Sequence, residues 1–214
     1  MRNVRTRVKV CGLTSADDAA EAVRAGADAV GVILAESPRQ VTLTEAEQIF
    51  AAVPPFVARV GVFVDAPADY VERAVARLNL AAVQFHGYEA PEQCAAAPAP
   101  VIKAVRVGRD FDDRELEHYL GVVAGLLLDT LVEGVDGGSG RTFPWERVAP
   151  LPVWAPVIVA GGLNPVNVGG AIRALAPYGV DVSSGVEERL RHKDRARLHA
   201  FVAAVRTADQ EVRS

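Results

Sequence analysis

Short apolar runs rich in Val, Ile and Leu recur roughly every 20–30 residues along the chain. They fall at Val8–Cys11, Ala29–Leu34, Ala58–Val64, Ala81–Phe85, Val101–Val107, Gly125–Leu128, Val157–Ala160 and Val180–Val182. Each is apolar at nearly every position rather than at alternate ones. That is the pattern of strands covered on both faces, as in a parallel sheet.

The segments between them carry a helical period. Tyr70, Val71, Ala74, Val75 and Leu78 form one apolar stripe, and Leu198, Phe201, Val202 and Val205 form another. Helix starts are expected at Ser15, at Thr44 before Glu45, at Pro67, and at Asn164 with Pro165 following. Gly26 sits where a helix C-cap belongs, and Cys94 falls mid-helix. The polar end, Thr207 to Ser214, is expected to fray.

Eight strands, each followed by a helix-sized connection, predict an α/β fold, the single-domain (β/α)8 TIM barrel. The domain would take residues 1–214, with the barrel itself over about 7–206. An open doubly wound sheet is the alternative. The first strand–helix junction, Cys11-Gly12-Leu13-Thr14, lacks the G-x-G-x-x-G expected there.

Composition narrows the function classes. With 214 residues, 50% apolar and 23% charged, the chain reads as an ordinary globular protein of one domain, or at most two small ones. No apolar stretch approaches the ~20 residues of a spanning helix, and no secretory signal is legible, so a cytoplasmic location is expected. A net charge of −4 without a Lys/Arg run argues against nucleic acid as a partner. Cys11 and Cys94 are too few for a disulfide framework, and neither they nor the four histidines show metal-ligand spacing. The 20 Arg against 3 Lys read as codon bias.

In this barrel the chemistry sits at the C-terminal ends of the strands. Gly161-Gly162 after the seventh run and Ser184-Gly185 after the eighth suit a phosphate, because backbone N–H groups can close on the anion there. A tight turn at Gly161-Gly162 is the alternative. Cys11 and Asp129 end the first and sixth runs and would face each other across the mouth, as a base and an acid. Alternatively, Cys11 is a small buried hydrophobe and Asp129 a loop cap. Arg39 suits a two-pronged grip on a carboxylate, or is a surface arginine. His86 either shapes the site or bonds a neighbouring backbone group. Asp65 and Arg106 take no role.

The motifs occur in a recognisable order. They are Lys9-Val10-Cys11-Gly12-Leu13-Thr14, Ser37-Pro38-Arg39, Val62-Phe63-Val64, Val83-Gln84-Phe85-His86-Gly87 and Leu127-Leu128-Asp129-Thr130. Then come the run from Gly137 to Trp145, the run from Gly161 to Val168, and the run from Gly179 to Glu187. This set resembles the phosphoribosylanthranilate isomerase family of the tryptophan pathway, over residues 7–206.

The resemblance implies an Amadori rearrangement of N-(5-phospho-β-D-ribosyl)anthranilate to 1-(2-carboxyphenylamino)-1-deoxy-D-ribulose 5-phosphate, with no cofactor and no metal. It implies Asp129 as general acid on the ribose ring oxygen and Cys11 as general base at C2′. Arg39 would hold the anthranilate carboxylate. The implied substrate-binding set further includes His86, Gly138, Ser139, Gly140, Gly161, Gly162, Asp181, Ser184 and Gly185. The partner is then a phosphorylated small molecule, not nucleic acid or a membrane, and the chain is a monomer or homodimer. An ordinary thiol, with a pKa of about 8.5, is mostly protonated at neutral pH, so the site is expected to lower that of Cys11.

Two features depart from the family: acidic Asp136 beside the loop glycines is unusual, and one stretch near the end differs. The family usually has a glycine just ahead of Lys193-Asp194, where this chain has Glu188-Arg189-Leu190-Arg191-His192. Two rivals are weaker. A histidine-pathway isomerase would place an aspartate, not Cys11, at the first strand end, and a non-catalytic phosphate-binding barrel would not need both Cys11 and Asp129.

Overall fold

The computed structural model describes residues 5–108, 111–129, 148, 150–152 and 154–212. Eight parallel strands close into a barrel in sequence order. They are β1 (Arg7–Val10), β2 (Ala29–Ile33), β3 (Ala58–Phe63), β4 (Ala82–Phe85), β5 (Val101–Arg106), β6 (Gly125–Asp129), β7 (Val157–Ala160) and β8 (Gly179–Val182). Every predicted run is a strand, with ends shifted by a residue or so.

Helices α1 (Ala16–Ala25), α2 (Leu43–Ala51), α3 (Ala68–Leu78), α4 (Pro91–Ala95), α5 (Val168–Leu175) and α6 (Arg195–Glu211) lie between or after the strands. A 3-10 helix, Asp113–Tyr119, follows β5. After β8 comes a one-turn 3-10 segment, Ser184–Val186, and then a small antiparallel hairpin of β9 (Glu187–Arg189) and β10 (His192–Lys193).

The closed sheet explains the two-sided apolar runs. One face of each strand, with Val10, Val30, Val83, Leu126, Leu128, Val159 and Val180, packs outward in the main core against helix residues such as Ala22, Ile49, Leu78 and Phe201. The other face points inward, where Ala104, Leu127 and Ala160 pack with Ile102 and Ile158. Parallel register places Lys9 beside Asp181 and Arg106 beside Asp129. Polar residues of the inward face therefore gather near the strand ends.

Local signals hold at some helix ends and fail at others. Ser15 caps α1 by accepting from Asp18 N, and Gly26 ends it at φ 108°. Thr42, not Thr44, caps α2. Its hydroxyl accepts from Glu45 N while Glu45 Oε2 accepts from Thr42 N at 2.7 Å, a reciprocal pair that Thr44 cannot make. Asn164 starts no helix either. Its Oδ1 accepts from Val166 N and Asn167 N in a local turn, and α5 begins at Val168. Thr207 to Glu211 do not fray, because Ala208 is buried and the Asp209 carboxylate takes both the N–H and the hydroxyl of Thr6.

Candidate active site at the mouth of the barrel

Cys11 follows β1 and is buried with its side chain on the inward face beside Lys9. Gly31 on β2 makes the room. A Cβ there would stand 2.9 Å from Cys11 Sγ and 3.4 Å from Lys9 Nζ. Lys9 Nζ donates to Asp181 Oδ1 at 2.9 Å, and both side chains are buried. Burial alone would lower the Lys9 pKa, but Asp181 and Cys11 around its ammonium hold it above its ordinary value. Lys9 is thus a fixed cation next to a thiol.

The Cys11 thiol does not follow expectation. Burial pushes its pKa up; the Lys9 ammonium pulls it back, and Asp181 adds to the rise. Its net shift is upward, where the sequence led us to expect a lowered one. A strand end inside a closed barrel excludes more water than one cation offsets. A thiolate formed there is scarcer at neutral pH but a stronger base.

Asp129 ends β6, buried, with its Oδ2 3.2 Å from His86 Nε2. Gln84 Nε2 stands 3.3 Å from His86 Nδ1, so β4 and β6 are joined by a polar chain from Gln84 through His86 to Asp129. Gln84 Oε1 is buried without a hydrogen-bond partner among the described residues. Asp181 on β8 lies between the Cys11 and Asp129 sides of the mouth, and burial raises its pKa even against Lys9. Its carboxylate is engaged by Lys9, while Asp129 adds a repulsion and His86 an attraction.

Arg39 lies in the loop after β2. Gly12, at φ 70°, leaves room for its stem, since a Cβ there would stand 2.7 Å from Arg39 Cδ. The guanidinium forks onto Glu187, with Nε to Oε1 at 2.7 Å and Nη2 to Oε2 at 2.6 Å. Glu187 also receives Lys193 Nζ at 3.1 Å. Burial would raise the Glu187 pKa, but these two cations hold it below the ordinary range. Arg39 is therefore no free surface arginine. Two of its three nitrogens are taken, and Nη1 has no hydrogen-bond partner among the described residues.

Arg39, Gly162, Ser184, Gly185 and Glu187 line one cleft of about 730 Å³. Gly161 and Gly162 adopt φ 87° and 63°, left-handed conformations open to glycine. A Cβ at Gly162 would meet nothing within 4 Å. Gly185 answers a different demand, because a Cβ there would stand 1.9 Å from Leu163 O. It lets the loops after β7 and β8 touch. Gly138, Ser139 and Gly140 lie outside the described residues.

Sequence reasoning missed Lys9, Gln84, Glu187 and Lys193 as parts of this site. A signal was available in the arginine bias. The three lysines of an arginine-rich chain are all buried, and each pairs with a buried carboxylate: Lys9 with Asp181, Lys103 with Glu89, Lys193 with Glu187. Lys103 alternates with the inward-facing Ile102 and Ala104, and its partner Glu89 also ties Asp65 N and Gly87 N. Asp65, left without a role, accepts from Tyr88 N and so joins the loops after β3 and β4.

Comparison with known proteins decides the family. The sequence profile of the N-(5'phosphoribosyl)anthranilate (PRA) isomerase family matches residues 8–204. The chain belongs to this family. The N-(5'-phosphoribosyl)anthranilate isomerase of Pseudomonas fluorescens (strain SBW25) is 45% identical over 203 residues, covering 94% of this chain and 96% of that protein. Among solved PRA isomerases, the Thermotoga maritima crystal structure has a TM-score of 0.85 at 38% identity, covering 94% of this chain and 99% of its own. Another, solved in complex with reduced 1-(o-carboxyphenylamino)-1-deoxyribulose 5-phosphate, has a TM-score of 0.81 at 36% identity, with 94% and 99% coverage. Among the described residues no helix is long and apolar enough to cross a membrane.

Proposed function

We propose that the PRA isomerase reaction runs at this mouth by acid–base catalysis between Asp129 and Cys11. Asp129 donates a proton to the ribose ring oxygen of phosphoribosylanthranilate, and the C1′–O bond breaks to leave a Schiff base. The Cys11 thiolate then removes the C2′ proton, and the electron pair moves toward nitrogen, giving an enolamine. Loss of the enol hydroxyl proton and gain of a proton at C1′ give the ketone. Return of a proton to Asp129 and loss of one from Cys11 reset the site.

The opposition of Cys11 and Asp129 across one mouth carries this reading. Cys11 stands at the end of β1 and Asp129 at the end of β6, both buried and both on the inward face. An acid and a base placed so act on opposite sides of a substrate. His86 holds the Asp129 carboxyl, and Lys9 supplies the positive charge that favours the thiolate.

The remaining residues bind. Arg39 grips the anthranilate carboxylate through the nitrogen that Glu187 leaves open. Gly161, Gly162, Ser184 and Gly185, with Gly138, Ser139 and Gly140, take the phosphate. Asp181, fixed by Lys9, accepts from a ribose hydroxyl, and the whole is one barrel domain working in the cytoplasm without a cofactor. A steady-state assay with phosphoribosylanthranilate, run beside the histidine-pathway isomerase substrate, tests the assignment. Turnover of the first alone is expected, and turnover of the second alone would overturn it.

A further inference from the structure

The β9–β10 hairpin follows the loop after β8 and pairs Arg189 with His192 across its turn. Arg191, in the turn, adopts φ 72°, a conformation that glycine enters freely and a residue with a Cβ does not. Backbone held against preference points to a compensating contact. Here the contact is plain. Arg191 Nη1 donates to Pro38 O at 3.1 Å and to Gln40 O at 3.0 Å, the two carbonyls on either side of Arg39. Thr14 Oγ1 in turn donates to Arg191 O at 2.6 Å, anchoring the turn to the loop after β1.

The opposite end of the same hairpin holds the Arg39 side chain. Glu187 takes Nε and Nη2 of Arg39 in a two-pronged pair, so the guanidinium plane is fixed and Nη1 is turned outward from it. Glu187 is itself braced by Lys193 Nζ at 3.1 Å on β10, and its backbone carbonyl accepts from Arg197. One element thus grips both the backbone that carries Arg39 and the charged group at its tip.

We propose that the β9–β10 hairpin determines carboxylate specificity, with Glu187 and Arg191 as positioning residues that aim Arg39 at the ligand. This rests on the reading that Arg39 grips a ligand carboxylate. Neither positioning residue need touch the ligand. Arg191 does with its side chain what a glycine in that turn could not.

Two probes test it on the full chain by calorimetric titration. One is reduced 1-(o-carboxyphenylamino)-1-deoxyribulose 5-phosphate; the other is the same compound without the carboxyl group. The parent protein should prefer the carboxylate-bearing probe by roughly 10–100-fold, the worth of a charge-assisted hydrogen bond. Arg39→Met should abolish that preference. Glu187→Gln, Arg191→Ala and Arg191→Gly should each cut it by about tenfold, and the two Arg191 variants should leave the affinity for the other probe unchanged. Should Glu187→Gln not fold, the two Arg191 variants decide. Preference retained in Arg39→Met would overturn the role given to Arg39 itself. Preference lost in Arg39→Met but kept in both Arg191 variants, or both probes weakened equally by them, would overturn the hairpin's role alone.

Discussion

The Lys9 ammonium donates to Asp181 at 2.9 Å inside the barrel, and its charge acts on the Cys11 thiol. Of the influences on that thiol, burial is the largest and Lys9 the next, acting in opposite directions. The thiolate is the active form of a base, so kcat/KM should climb with pH through the thiol's titration. Because the net shift is upward, that limb should lie above the range of an ordinary thiol. Lys9→Met should move it higher still, with roughly a tenfold loss at neutral pH for each unit. Removing Lys9 alone leaves Asp181 buried and unpaired, at a cost of about 3–5 kcal/mol. Lys9→Met with Asp181→Asn removes both charges and should keep the fold, and its limb should still stand above the parent's. Identical pH–rate profiles in the double variant and the parent would show that Lys9 does not tune Cys11.

Cys11→Ala and Asp129→Asn should each reduce kcat by about 10²–10⁴-fold, the usual worth of a positioned acid or base. Both substitutions are small and leave the strand ends intact, so product binding and thermal stability should change little. Cys94→Ala is the control, since Cys94 is buried in α4 rather than at the mouth. A variant that kept more than about a tenth of the parent kcat would lose its assigned role.

Much of the candidate site is legible in the sequence, and the reason is the barrel itself. Its strands are so uniformly apolar that a polar residue at a strand end stands out, as Cys11, His86 and Asp129 do. Arg39 was legible from its loop but its partner was not, because Glu187 is 148 positions away and meets it only through the hairpin. Lys9 was hidden for a different reason. A lone lysine inside an apolar strand reads as a strand edge unless the residue opposite it in the closed sheet, Asp181, is known. The direction of the Cys11 shift could not be read from sequence, since it depends on how much water the closed mouth excludes. The helix ends at Thr42 and Asn167 failed for a local reason, several capping residues lying within a few positions of each other.

Arg39→Lys should raise KM with a smaller change in kcat. An ammonium keeps the charge but cannot hold Glu187 with one face and offer a fixed donor with another. Its loss should also free Glu187, whose pKa is held down partly by Arg39. A depressed carboxylate stabilises the fold above its unfolded pKa, and that contribution is lost as pH falls through the folded value. Arg39→Lys should therefore narrow the difference between stability at neutral and at acid pH. An unchanged KM in steady-state assay would refute the binding role, whatever happened to the acid limb.

The phosphate contacts have to work against a chain of net charge −4, so attraction must come from oriented backbone donors rather than from the molecule as a whole. The two glycines nearest the cleft then predict different failures. At Gly162 a side chain would project into open space, so Gly162→Val should obstruct the anion and weaken product binding. Its φ of 63° adds a strain of about 1–2 kcal/mol, to be read separately by thermal unfolding. At Gly185 a Cβ would stand 1.9 Å from Leu163 O, so Gly185→Ala should lower stability by separating the loops after β7 and β8. Ser184→Ala removes only a hydroxyl donor and should weaken product binding by ~1.5–3 kcal/mol with little change in unfolding temperature. Calorimetric titration of all three with the reduced product, beside their unfolding curves, separates obstruction from collapse. Full affinity in Gly162→Val and Ser184→Ala would move the phosphate away from these loops, and Gly138 to Gly140 would be the next residues to change.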